Sequence, residues 1–191
     1  MVVLDPGHGG ADPGAISGAG LSEKSLNLAV AKDCGIYLAN HGVSVAYTRT
    51  TDQPALPTVP FQVLPDLKHR TYLARTWHAR VFVTIHANTE PTHTMTGPIV
   101  YYDVHNPGSY PFAKSLSPFL WRIGGPQWAP RPVEQLVLEQ ANVPAVNVEV
   151  GFLSNPQNAA LLSQAWYQRA LGKAIAEGVI HYIATAPQPA P

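Results

Sequence analysis

The sequence predicts a single α/β domain: a mostly parallel sheet with helices on both faces. Three observations predict it. Short β-branched runs alternate along the chain with segments whose apolar residues recur at helical spacing, the pattern of strands joined by right-handed crossover helices. The run VFVTI at 81–85 does not alternate in hydropathy, as expected of a strand covered on both sides. A chain of 191 residues can bury roughly 70% of its unfolded surface, enough for one large core.

The elements follow in order. Residues 2–4 form a short buried strand stopped by Asp5-Pro6-Gly7 and a glycine-rich loop,. Ser22 reads as the N-cap of a helix reaching Asn40, with Gly42 as its stop and Leu26, Val30, Cys34 and Leu38 as its apolar stripe,. Residues 43–47 are a second strand, 52–65 a loop holding four prolines, 66–78 a helix, and 81–85 and 99–102 strands. The Pro-rich stretch 103–132 contains a helix near 112–122 that Pro118 can kink,. Residues 136–138 fit strand or helix equally, and 145–150 is a further apolar strand. Asn155-Pro156 opens a helix as N-cap and first helical position,. The last helix spans 165–184 with Tyr167, Leu171, Ile175, Val179 and Tyr182 on one face, so the domain is placed at 1–184 and a stiff Pro-rich tail at 185–191,.

Composition narrows the function. Twelve Lys and Arg balance twelve Asp and Glu, and charged residues are 13% of the chain against a usual ~25%. No basic cluster marks a nucleic-acid or anionic-membrane partner. One cysteine excludes an internal disulfide,, and Cys34 on a helix stripe reads as core. No apolar stretch approaches the ~20 residues of a membrane span. The first residues lack a signal peptide, which is expected of a piece of a longer protein or of one exported by another route. The scarcity of charge makes a carboxylate within an apolar run conspicuous.

Parallel α/β sheets bind ligands beyond the C-terminal ends of their strands. His8 follows the first strand, His86 ends VFVTI, Glu149 lies near the end of 145–150 and Glu23 starts the first long helix, so the topology sends all four to one rim. Two His and one Glu form a catalytic zinc ligand set that leaves a position open for water, whose pKa the ion lowers. A second carboxylate can then carry a proton from water to a leaving amine. Glu149 suits that role because its valine neighbours should desolvate it and raise its pKa. Taken singly, the residues have plainer readings: His8 as a loop residue, Glu23 as a first-turn acid favouring the helix dipole, and Glu149 as half of a salt bridge. The other histidines (41, 69, 78, 93, 105, 181) read as surface or packing residues, and Glu134, Glu139 and Glu177 as solvated. Arg70 reads as an ion-pair tie between a helix and the sheet. No His-Glu-x-x-His, Gly-x-Ser-x-Gly or phosphate-loop motif is present,.

Five segments together resemble the zinc-dependent N-acetylmuramoyl-L-alanine amidases, the peptidoglycan-cleaving family that includes autolysins and phage endolysins. They are LDPGHGGADPGA at 4–15, EKSLNLAVA at 23–31, VSVAYTRTTD at 43–52, FVTIHAN at 82–88 and AVNVEVGFLSN at 145–155. The resemblance implies that His8, Glu23 and His86 bind one zinc ion, that Glu149 is the catalytic glutamate and that the sheet has six strands. It also implies cleavage of the amide between N-acetylmuramic acid and L-alanine, and action at the cell wall or in the periplasm. The chain departs from the family at Arg75, at Arg80 and at Asn147, where an aliphatic residue is usual. Gly97 comes only nine residues after Asn88, leaving too little room for the inhibitory helix that some members carry, so an open site is expected. A monomer is expected, served by a separate wall-binding module.

Overall fold

The computed structural model describes residues 1–186. Twelve elements follow the chain: β1 (Val2–Pro6), α1 (Glu23–Asn40), β2 (Val45–Tyr47), α2 (Val63–Thr76), β3 (Val81–Asn88), β4 (Ile99–Tyr102), α3 (Ser109–Trp121), β5 (Arg131–Pro132), α4 (Leu136–Glu139), β6 (Ala145–Phe152), α5 (Pro156–Leu162) and α6 (Ala165–Thr185). The strands form one six-stranded sheet in the order β2-β1-β3-β6-β4-β5. Every neighbouring pair is parallel except β4 with β6. The α/β class, the mostly parallel sheet and its six strands are therefore as the sequence predicts.

The period-two alternation of strand side chains divides the sheet into two faces. Val2, Leu4, Val83, Ile85, Val146, Val148 and Val150 point into the larger core, against the α1 stripe, Phe112 and Leu116 of α3, and Leu171, Ile175 and Val179 of α6. Val3, Phe82 and Ala145 point the other way, against Ala74 of α2 and Leu138 of α4. All four residues of the α1 stripe are buried.

Several boundaries differ from the sequence reading. The α2 helix starts at Val63, so Pro65 lies in its first turn, where a missing N–H removes no helical bond. It ends at Thr76, and His78 turns the chain with a φ of 51°. Strands β3 and β6 run on to Asn88 and Phe152, past an irregularity between His86 and Asn88. The undecided segment at 136–138 is the single-turn helix α4. The two-residue strand β5 hides in the Pro-rich stretch, where an edge position tolerates Pro132,. Ser22 stands at the N-cap of α1, but its hydroxyl meets Ser25 Oγ at 2.8 Å rather than a backbone amide. Asn155 does cap α5, its Oδ1 accepting from Asn158 N at 2.9 Å. Residues 187–191, most of the expected Pro-rich tail, lie outside the described residues. Among the described residues no helix is long and apolar enough to cross a membrane.

Candidate metal centre

Three chain segments deliver the site. The loop after β1 carries His8, the first residue of α1 is Glu23, and β3 carries His86 near its end. One ligand atom from each lies within 4.8 Å of the other two. Glu23 Oε1 stands 3.0 Å from His8 Nε2 and 3.0 Å from His86 Nδ1. The two imidazoles meet nearly edge-on, 4.9 Å between centroids at 78°. Both rings are about a quarter exposed (24%), whereas the Glu23 side chain is only 6% exposed.

The backbone is shaped to allow this convergence. His8 itself has a φ of 62°, a left-handed conformation that a tight loop imposes. A side chain at Gly7 would place its Cβ 2.2 Å from the His86 ring. At Gly14, where φ is +63°, a Cβ would lie 2.6 Å from Glu23 Oε2. Both positions need glycine because the His86 and Glu23 side chains occupy that space,.

Further contacts fix these side chains. His8 Nδ1 is 2.8 Å from Asp12 Oδ2, and Asp12 Oδ1 accepts from Gly14 N. That contact favours a proton on Nδ1 and leaves the Nε2 lone pair facing Glu23 and His86. Glu23 Oε1 also accepts from Ala87 N at 3.1 Å, and Oε2 from Ala15 N at 2.9 Å. The loop carbonyls are held by two buried arginines. Arg49 donates to the oxygens of Pro6 and Gly7, and Arg70 to those of Pro6 and His8. Arg70 also pairs with Asp5 at 2.8 Å and Asp66 at 2.7 Å, the helix-to-sheet tie expected of it.

Electrostatics follow from these contacts. Burial pushes the Glu23 carboxyl up, but hydrogen bonds and charge from His8 and His86 outweigh it and hold the group well below the usual carboxylate range. Burial alone would lower His8, yet hydrogen bonds and charge from Glu23 and Asp12 raise it to about 9. The pocket thus draws positive charge to its centre, whether from protons or from a cation.

Glu149 is not one of the three convergent donors. It sits one strand over on β6, in register with His86, and is 9% exposed. Its Oε1 accepts from Asn147 Nδ2 at 3.0 Å, and its Oε2 is buried without a partner. Burial pushes its carboxyl upward, against the opposing pull of His86. Beside His8 and His86 opens a cavity of about 180 Å³, walled opposite by Phe61, Val63, Leu67 and Val137. The segment between β3 and β4 carries no helix. It is tied down by His93 Nδ1 at 2.8 Å from Ser154 O and by Glu90 N donating to Ser154 Oγ.

The four rim residues are thus together, His8, Glu23 and His86 as one cluster and Glu149 beside it. Among the described residues no other trio of potential ligands converges. Sequence reasoning missed Asp12, although an Asp four residues after His8 in a glycine turn was a usable signal. It also missed Arg49 and Asn27, which reaches Gly7 O at 3.3 Å and Glu23 Oε1 at 3.4 Å.

Comparison with known proteins gives this geometry its context. The germination-specific N-acetylmuramoyl-L-alanine amidase of Bacillus subtilis (strain 168) is 31% identical over 188 residues, which cover 95% of this chain and 79% of that protein. The structure of the CwlD amidase from Clostridioides difficile, in complex with the GerS lipoprotein, superposes with a TM-score of 0.89 at 29% identity, covering 96% of this chain and 98% of that one. The catalytic domain of CwlV, an N-acetylmuramoyl-L-alanine amidase from Bacillus (Paenibacillus) polymyxa var. colistinus, gives 0.85 at 32% identity, covering 96% and 97%. Residues 2–181 match the family described as N-acetylmuramoyl-L-alanine amidase, and the chain belongs to that family.

Proposed function

We propose that this peptidoglycan amidase works with one zinc ion held by His8, Glu23 and His86, and with Glu149 as its proton carrier. The reaction is hydrolysis of the amide that joins the lactyl group of N-acetylmuramic acid to the L-alanine of the stem peptide. The observation that carries the site assignment is the convergence of three donor atoms within 4.8 Å, with Glu149 in register beside them. Two imidazole nitrogens and one carboxylate oxygen suit zinc and leave it an open position. When bound, the ion polarises the amide carbonyl and lowers the pKa of a water.

The chain's own residues do the rest. Asp12 holds the His8 tautomer, and Arg49 and Arg70 hold the loop that carries it. Glu149, desolvated and with Oε2 free, accepts the proton of the attacking water. As the C–N bond breaks, it returns that proton to the departing nitrogen. The products are a muramoyl carboxylic acid and a stem peptide with a free L-alanine amino group. Phe61, Val63 and Val137 supply an apolar side to the cavity beside His8 and His86.

The setting follows from the substrate. We place the enzyme outside the cytoplasmic membrane, in the cell wall or periplasm. With no net charge to attract it to the wall, affinity comes from the cleft or from a separate wall-binding module. All four site residues come from one chain, so a monomer suffices. The test is mass spectrometry of the products from a defined muropeptide, with and without chelator. Intact stem peptides with L-alanine N-termini are expected, and none after chelation. Glu149→Gln should retain zinc and lose at least about a hundred-fold in turnover; cleavage within the stem peptide, or near-normal turnover by that variant, would overturn the reading.

A further inference from the structure

Asn147 lies two residues before Glu149 on the same face of β6. It is 1% exposed, in the middle of the sheet, paired in register with Thr84 of β3 and Tyr101 of β4. Its amide nitrogen donates to Glu149 Oε1 at 3.0 Å and to Gln135 Oε1 at 3.2 Å. Its own Oδ1 is buried with no partner.

Stability does not explain such a residue. A half-satisfied buried amide costs free energy that a valine of similar size would not. The carboxylate beside it does explain it. Glu149 has three rotatable side-chain bonds, and the bond from Asn147 is the one hydrogen bond it accepts among the described residues. That bond occupies Oε1 and leaves Oε2 unpartnered. Gln135, just before α4, holds the amide from the other side and fixes which way its N–H groups point.

We infer that Asn147 is a positioning residue: by holding Oε1 it locks the Glu149 carboxylate in one orientation on β6, beside His86 in register. The inference rests on the reading of Glu149 as the proton carrier. An orienting bond of this kind acts on the chemical step and not on ion or substrate binding, because a misaimed carboxylate still leaves the His8, Glu23 and His86 cluster intact.

The test is steady-state kinetics on a purified muropeptide, with zinc content and Tm measured on the same samples. For Asn147→Val, kcat should fall about ten-fold, the worth of one such hydrogen bond. KM and zinc content should stay within about two-fold, and Tm is read to show that the variant is folded, since the change removes the orphaned Oδ1 but also the donor to Glu149 Oε1,. Asn147→Asp keeps the shape, removes the donor and sets a second carboxylate beside Glu149, so a deeper loss of about a hundred-fold is expected. A kcat within two-fold of wild type in Asn147→Val, or a loss carried by KM or by zinc content, overturns the inference. If substitution in β6 unfolds the chain, Gln135→Leu replaces it as the test. That change leaves the bond to Glu149 but frees the amide, and kcat should fall about three-fold; no change would count against the inference. Glu149→Gln runs in parallel. If it is inactive while Asn147→Val is fully active, only the role of Asn147 fails; if it is active, the reading of Glu149 fails first.

Discussion

On the face of the sheet that packs against α1, α3 and α6, strands β1, β3 and β6 present Val2, Leu4, Val83, Ile85, Val146, Val148 and Val150, all buried. On the opposite face the same strands begin apolar, with Val3, Phe82 and Ala145, and then turn polar toward their C-terminal ends. Asp5 follows Val3, Thr84 and His86 follow Phe82, and Asn147 and Glu149 follow Ala145. Alternation makes this division possible, because neighbouring residues on a strand answer to different environments. The apolar face supplies stability, roughly 1.5–3 kcal/mol for each fully buried aliphatic side chain. The polar face uses buried charge that must be matched partner by partner. Arg70, itself 2% exposed, is balanced by Asp5 and Asp66, and removing one member of such a set costs about 3–5 kcal/mol.

Two adjacent residues break the comparison most sharply. His86→Ala should lose zinc, measured by metal analysis, and with it all detectable amidase activity, while the protein stays folded. Ile85→Ala, one residue earlier and on the other face, should keep its zinc. It should lose about 2–5 kcal/mol of stability in denaturant unfolding, since the cavity opens in the main core. If His86→Ala kept its metal, the ligand assignment would be wrong.

A smaller effect is expected at Asp12. Asp12→Asn keeps the size of the side chain but removes the charge that orders His8, so zinc affinity in a chelator competition should fall about 10–100-fold. Unchanged affinity would show that the loop backbone alone orients the ring.

The smallest effect is a pH dependence. Burial raises the Glu149 carboxyl above its ordinary value of 4.5. As a base it must be ionised, so kcat should decline as pH falls through the titration of this carboxyl. The stability consequence has the opposite sense. A carboxyl whose folded-state pKa is raised favours the folded state most below its unfolded value and loses that contribution as pH rises through the folded value. Metal-free Glu149→Gln should therefore have a higher Tm than metal-free wild type at pH 7, and an equal or lower Tm would contradict a desolvated carboxylate.

Much of the molecule was legible in advance because it depends on local chemistry. The α1 stripe, the Asn155-Pro156 helix start and the unbroken VFVTI strand each follow from side-chain spacing within one segment. The meeting of His8, Glu23, His86 and Glu149 at one rim was legible because strand ends in a parallel sheet converge there, and because charge is scarce enough to make each carboxylate noticeable. Strand β5 was not legible: two residues, one of them proline, become a strand only because β4 offers an edge. The start of α2 was not legible either, since proline reads as a breaker until its place in the first turn is known.

The sequence by itself determined the fold class, the family and the identity of the four residues at the rim, since each is written in periodicity or in a motif several residues long. Only the tertiary structure decided how those residues are held. Asp12 on His8, the two arginines on the loop carbonyls, and Asn147 on Glu149 are contacts between single polar atoms, and a hydrogen bond is lost within an ångström of misplacement. Residue spacing can bring side chains to the same rim, but it cannot specify atomic positions that finely.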